Sequence, residues 1–261
     1  MGISGSTKLF PIIGRPVDTV FSPPAYNRWF EEQELDVRMV AMDVAPETLS
    51  EFFSFMRSSQ TFLGCSVTYP HKQSAFLLCE EVTDRAKRLG ALNTIRKLPN
   101  GELRGDATDG LAMMSAIGAQ GIDVAGKSAL ILGAGGGAGQ AIADALCEKG
   151  IAGISLIDTN AQRLAQVTDA LRNAWTETRV LDENERHDVL VNATTLGKSP
   201  EDVLPFSERK IATAEIVCDV VTGHLDTKLI SLAKELDKPF VSGRGMGQHQ
   251  LEPQMEFLRL S

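Results

Sequence analysis

The chain has 261 residues, 43% of them apolar and 23% charged, an ordinary composition for a folded globular protein and enough chain for one large core or two modest ones. Its formal net charge of -8 argues against nucleic-acid binding, which rests on Lys and Arg neutralising phosphates, yet leaves a local basic group free to hold a small anion. No basic stretch followed by an apolar one opens the chain, and no run approaches the ~18 apolar residues of a membrane span. A cytoplasmic monomer or homodimer is therefore expected, with a small molecule as partner and neither membrane nor nucleic acid. Cys65, Cys79, Cys147 and Cys218 form no C-x-x-C pair, as suits reduced core thiols, and no His/Cys/Asp spacing supports a metal site.

In chain order, Lys8 to Gly14 reads as a buried strand. Ser22-Pro23-Pro24 is a helix start, with serine as cap and proline at the first helical position. Trp29, Phe30 and Leu35 give the following helix an apolar face. A strand over Arg38 to Val44, a helix over Pro46 to Met56, a strand over Gly64 to Val67 and a helix over Gln73 to Glu81 continue an α/β alternation. From Lys127 the runs become denser. Ser128–Leu132, Ile154–Ile157, Val189–Val191 and Ile216–Val221 suit strands buried on both faces, and helices are expected over Gly139–Lys149 and Ala161–Ala174. That pattern predicts a doubly wound, Rossmann-like parallel sheet. A first domain over 1–107 and a second over 108–242 are expected, with 243–261 returning to the first, chiefly as a helix over Gly247–Leu260.

Leu130-Ile131-Leu132 runs directly into Gly133-Ala134-Gly135-Gly136-Gly137-Ala138-Gly139 and then a helix. Gly133-x-Gly135-x-x-Ala138 fits the dinucleotide pattern with its permitted final alanine. Such glycines allow a tight turn and close backbone approach to a pyrophosphate, which the helix N-terminus attracts. Asp158 ends the next strand, where an acid accepts hydrogen bonds from the adenosine ribose and repels a 2′-phosphate. A bland alternative makes Asp158 only the cap of the following helix. Asn192 and Thr194 follow a further strand, at the end that faces the ligand crevice in open parallel sheets.

Three motifs precede this fold: Ser66-Val67-Thr68-Tyr69-Pro70-His71-Lys72, Gly90-Ala91-Leu92-Asn93-Thr94, and Ala107-Thr108-Asp109-Gly110. In order and spacing they resemble the Asn-Val-Thr-x-Pro-x-Lys, Gly-Ala-x-Asn-Thr and Asn-Thr-Asp-Gly motifs of the shikimate dehydrogenase family, and the resemblance runs nearly end to end. It implies a hydride transfer between a nicotinamide and the C3 hydroxyl of shikimate or a close cyclic polyol acid. Lys72 is then the acid/base, with Asp109 paired to it and gripping the substrate hydroxyl. An ordinary amine is charged at neutral pH, so it serves as a base only where burial favours its neutral form; otherwise its charge stabilises the developing alkoxide. Ser22, Ser66, Thr68, Asn93, Thr222 and Gln250 fall at substrate-binding positions. The resemblance also places Asn192, Thr194, Val220 and Gly243 beside the cofactor. NADP-preferring members typically carry Asn-Arg-Thr and a second arginine where this chain has Asp158-Thr159-Asn160, with only Arg163 retained, so NAD is expected in preference to NADP.

The binding shell departs from the family pattern. Val20 replaces the first of two serines that hold the substrate carboxylate, Ser66 and Ala107 replace asparagines, and Thr222 stands where tyrosine is usual. Quinate or an aminoshikimate is therefore an alternative substrate. Readings from other classes are an NAD-binding regulator with vestigial catalysis, which would have no need of Lys72 and Asp109, and a folate-linked dehydrogenase of related architecture. His71 reads as a neighbour of the catalytic lysine with no role of its own, and His249 is ambiguous.

Overall fold

A computed structural model describes residues 2–18, 20–223 and 226–260. The chain divides into two compact units, Met1–Thr108 with Leu251–Ser261, and Asp109–Gln250.

In the first unit the strand expected over residues 8–14 is split around Pro11 into β1 (Lys8–Leu9) and β2 (Ile12–Gly14), since proline has no N–H to give a ladder. Helix α1 (Ser22–Glu32) has Phe21 as its N-cap and proline in its first turn. Ser22 is thus the first helical residue, not the expected cap, and no side chain caps the helix. The strand expected over 38–44 is also two pieces, β3 (Val37–Arg38) and β4 (Ala41–Asp43). Between them the Asn27 side chain binds both backbone groups of Met39, at 2.8 and 2.9 Å, and takes that peptide out of any ladder. A 3₁₀ turn over Pro46–Thr48 leads into α2 (Leu49–Ser58). After β5 (Gly64–Val67), α3 (Lys72–Leu77) stops short of Glu81, which instead begins β6 (Glu81–Val82). Helix α4 (Asp84–Leu89), capped by Thr83, then leads to β7 (Thr94–Lys97) and β8 (Leu103–Asp106).

The main sheet of this unit has the order β4-β2-β5-β7-β8-β6, with β7 alone antiparallel to its neighbours. Side chains alternate across such a sheet. Cys65 and Val67 of β5 accordingly enter a cluster with Ile13, Phe53, Met56 and Ile95. A second cluster gathers Phe10, Tyr26, Phe30, Met39, Met255 and Leu258.

The second unit runs α5 (Asp109–Gly118), β9 (Ser128–Leu132), α6 (Gly137–Glu148), β10 (Gly153–Ile157), α7 (Ala161–Ala174), β11 (Arg179–Val180), β12 (Val189–Asn192), α8 (Glu208–Thr213), β13 (Ile216–Asp219), α9 (Lys228–Glu235), β14 (Phe240–Val241) and α10 (Gly243–Gln248). Its six strands are all parallel in the order β11-β10-β9-β12-β13-β14. Connection order reverses between β9 and β12, and the crevice past the carboxyl ends of those strands is the switch point where such sheets bind ligands. The helix expected over 247–260 is two helices, α10 and α11 (Leu251–Leu258). The segment 243–250, expected with the first domain, belongs to the second unit: Met246 is buried in its core and His249 Nδ1 lies 3.0 Å from Ser115 Oγ. The return falls at Leu251.

His187, in the loop before β12, is buried, with Nε2 2.7 Å from Ser155 Oγ of β10 and no partner for Nδ1. Burial, and then Lys210, push its pKa below the ordinary value, against the opposing Glu185 and Asp188. A histidine whose folded pKa lies below its unfolded one contributes stability above the unfolded pKa and loses it as pH falls through the folded one. Thermal stability is therefore expected to drop below pH about 6.5, and His187→Gln should flatten that dependence. Melting curves of both proteins between pH about 7 and 5 check this; parallel curves would exclude His187 as the cause.

Candidate active site

In the second unit, β9 delivers the chain into the glycine loop and α6 carries it away. Gly133 has φ of 87°, a conformation that favours glycine. A Cβ at Gly139 would meet Gly133 O at 2.2 Å, so the first turn of α6 folds onto the loop only because that atom is missing. No side chain caps α6, and a Cβ at Gly137 would have nothing within 4 Å. The loop thus ends in open space, with the first-turn N–H groups that a helix leaves without intrahelical partners. Gly137 and Ala138 supply donors of the kind a pyrophosphate needs, whereas Gly133 N and Ala134 N bond to Ile157 O, Gly136 N to Gly133 O and Gly135 N to Asp158 Oδ2, so these four residues shape the loop.

Asp158 follows β10 directly. Its Oδ2 accepts from Gly135 N at 2.8 Å and its Oδ1 from Asn160 N at 2.8 Å. It does not cap α7; Asn160 does, accepting from Arg163 N at 3.0 Å. Each carboxylate oxygen keeps a lone pair for a ribose hydroxyl. Arg163 sits beside the same loop, its Cβ 2.8 Å from where a Cβ of Gly135 would be. The residues fit an adenosine pyrophosphate.

Across the switch point, Asn192 ends β12 and its Oδ1 accepts from Thr194 Oγ1 (2.7 Å) and Thr194 N (3.2 Å). Its Nδ2 donates to Asp219 Oδ1 at 3.0 Å. Asp219, fully buried at the end of β13, also accepts from Val221 N at 3.0 Å and Thr227 Oγ1 at 2.6 Å. Burial raises its pKa, against these three hydrogen bonds. Nothing in the sequence singles out Asp219, since a lone aspartate closing a strand carries no motif. Val220 N donates to Asn192 O, and the backbone of Gly243 lies so close to Val220 and Val221 that a Cβ would meet their carbonyls at 2.4–2.7 Å. Thr222 is exposed just beyond. Asp109, the first residue of α5, is buried and accepts from Gln250 Nε2 at 3.0 Å. The unit therefore brings its predicted residues into two groups at the strand ends, with Asp109 and Gln250 as a third.

In the first unit, Lys72 is half-buried and heads α3. Thr68 lies against Gly14, where a Cβ would meet Thr68 Cγ2 at 2.4 Å. His71 is structural: it is 1% exposed and its Nε2 is 2.8 Å from Val44 O. Asn93 commits its side-chain oxygen to Thr108, accepting from N at 2.6 Å and Oγ1 at 3.2 Å. Ser66, buried in β5, has its Oγ 3.4 Å from Asn93 O and 3.3 Å from Gln254 Nε2. Gln254 is a second residue for which the sequence carries no signal. Val20 packs against the cluster around Phe10 and Tyr26, and Ala107 is buried in the cluster behind β5. Burial pushes the Cys65 thiol well up, away from reactivity. Among the described residues no group of His, Cys, Asp and Glu is gathered as metal ligands would be, and no helix is long and apolar enough to cross a membrane.

A doubly wound sheet with an uncapped glycine loop and a ribose-type carboxylate, in a chain whose other unit presents a motif lysine, defines a nicotinamide-dependent oxidoreductase. Residues 12–95 match the family model of the shikimate dehydrogenase substrate binding domain. The chain is 34% identical to the shikimate dehydrogenase (NADP(+)) of Acidiphilium cryptum, over 97% of this chain and 91% of that one. It is 33% identical to that of Rhodospirillum rubrum, over 97% and 92%. The crystal structure of shikimate 5-dehydrogenase from Listeria monocytogenes in complex with shikimate and NAD is similar with a TM-score of 0.87 at 26% identity, covering 99% of this chain and 94% of that one. The chain belongs to the shikimate dehydrogenase family, oxidoreductases acting on CH–OH donors.

Proposed function

We propose that the protein interconverts shikimate, or a close cyclic polyol acid, and its 3-keto counterpart, using NAD in preference to NADP. The observation that carries the chemistry is the presence of both Lys72 and Asp109 in their motifs in a member of this family; a protein that only bound a nucleotide would need neither. The nicotinamide ring, when bound, takes up or supplies the hydride. Lys72 takes the substrate hydroxyl proton, or as a cation stabilises the oxyanion that develops when it leaves. Asp109, oriented by Gln250 Nε2, accepts a hydrogen bond from a substrate hydroxyl and so fixes which carbon faces the cofactor. Ser22, Thr68, Asn93 and Thr222 complete the binding shell. Val20, Ser66, Ala107 and Thr222 favour a second reading, in which quinate or an aminoshikimate is the preferred substrate.

The preference for NAD is inferred from Asp158, whose carboxylate accepts from Gly135 N and would repel a 2′-phosphate; the relatives at 33–34% identity are named for NADP(+), which runs against it. Arg163 beside it supplies one cation where a phosphate site uses several. Initial rates with NAD and NADP across shikimate, quinate and amino analogues test both halves of the proposal. Higher kcat/KM with NAD is expected, and Asp158→Ala should narrow the gap between cofactors. Equal or better efficiency with NADP would overturn the cofactor assignment, and no turnover of any of these acids would overturn the substrate class.

A further inference from the structure

Tyr26 of α1, Gln254 of α11 and Ser66 of β5 form a chain of polar groups through an otherwise apolar cluster. Tyr26 is 2% exposed and Gln254 1% exposed, among Phe10, Phe30, Met255 and Leu258. Burying a primary amide there is costly unless both of its ends are bonded. Tyr26 Oη donates to Gln254 Oε1 at 2.9 Å, and Gln254 Nε2 donates to Ser66 Oγ at 3.3 Å. The direction of the chain follows from its last member. Asn93 O, 3.4 Å from Ser66 Oγ, is a carbonyl and can only accept. The Ser66 proton must therefore point at it, and Gln254 must present its N–H to the serine.

Ser66 is held in this way with a lone pair filled by Gln254 and its proton on an acceptor at the long limit of hydrogen-bond geometry. A ligand oxygen at an ordinary separation of about 2.7–2.8 Å would win that proton. An asparagine, the family's residue here, offers a donor and an acceptor on a longer side chain. The serine braced by Gln254 offers its donor.

We propose that Gln254, held by Tyr26, is a positioning residue that aims the Ser66 hydroxyl as a donor at a hydroxyl or carbonyl oxygen of the substrate, and that this relay sets substrate affinity. The proposal rests on the reading that Ser66 lines the substrate pocket.

Steady-state kinetics test it on the full-length enzyme, using whichever cyclic polyol acid the unmodified protein turns over best. Ser66→Ala and Gln254→Leu should each raise the substrate KM about three- to tenfold, the usual weight of one hydrogen bond. Both should move kcat less than KM and leave the NAD KM unchanged. Tyr26→Phe keeps the packed ring and removes only the hydroxyl, so it should raise the substrate KM about two- to threefold. In a Ser66→Ala background, neither Gln254→Leu nor Tyr26→Phe should add anything, because both act through the serine. Penalties that multiply in the double variants would overturn the relay, as would a fall in kcat at constant KM or a parallel rise in the NAD KM. If Gln254→Leu does not fold, the Tyr26→Phe and Ser66→Ala pair decides the same question. Turnover with independent penalties sinks the relay alone; no turnover of any polyol acid by the unmodified enzyme sinks the proposed function and the relay with it.

Discussion

Lys72→Ala is expected to lower kcat by roughly 10²–10⁴, the contribution of a positioned acid/base group, while NAD affinity stays within about twofold. Two features of the chain lead to this split. Lys72 heads α3, directly after the Thr68–His71 turn that a His71 N to Thr68 O bond of 3.0 Å closes. The glycine loop and Asp158 belong to the other compact unit. Removing the amine takes away the group proposed to handle the hydroxyl proton without touching the first-turn donors of α6. Fluorescence titration with NAD and single-turnover rates separate the two effects. A parallel collapse of NAD affinity would mean that Lys72 holds the cofactor or the fold instead.

Asp219→Ala is expected to destabilise the second unit by on the order of 3 kcal/mol and to raise the cofactor KM roughly tenfold. The carboxylate is fully buried and takes hydrogen bonds from Asn192 Nδ2, Val221 N and Thr227 Oγ1. Alanine removes the acceptor of Val221 N and Thr227 Oγ1 and leaves Asn192 Nδ2 with Leu196 O alone, and each unpaired buried group carries its full desolvation penalty. Asn192 loses one of the two acceptors that hold its amide with Oδ1 toward Thr194, and as Asn192 is a proposed cofactor contact, cofactor binding should suffer along with stability. Asp219→Asn preserves the shape and one acceptor oxygen, so it should fall between the two. Denaturant unfolding and cofactor kinetics on the three proteins check this; an alanine variant as stable as the parent would show that Asp219 is not the keystone of the strand ends.

How much is legible in the sequence differs between the units for a physical reason. Strand β9 and helix α7 match the sequence expectation to the residue, Ser128–Leu132 and Ala161–Ala174. A strand buried on both faces must be a continuous apolar run, and Asn160 just ahead of α7 supplies a local start to the helical pattern. The first unit is built from shorter strands, and its breaks are less legible. Pro11 divides β1 from β2 by a local rule, but β3 and β4 separate at Met39 because Asn27, twelve residues away, takes its backbone groups. Ser22 reads as a helix cap from its proline neighbours, yet the cap falls one residue earlier, at Phe21.

By itself the sequence determined the α/β class, the glycine loop, the acid at 158 and the candidate lysine and aspartate. Each of these depends on residues close together in the chain, where spacing and local backbone geometry settle the outcome. The tertiary structure alone decided how the buried polar residues pair. Asp219 looks like an ordinary strand end until β12 and β13 lie side by side and place Asn192 against it. Gln254 looks like the wet face of a helix until α11 packs against β7 and its amide is left between Tyr26 and Ser66. A buried polar group must find its hydrogen bonds wherever the fold supplies them, and those partners lie 27, 228 and 188 residues away along the chain.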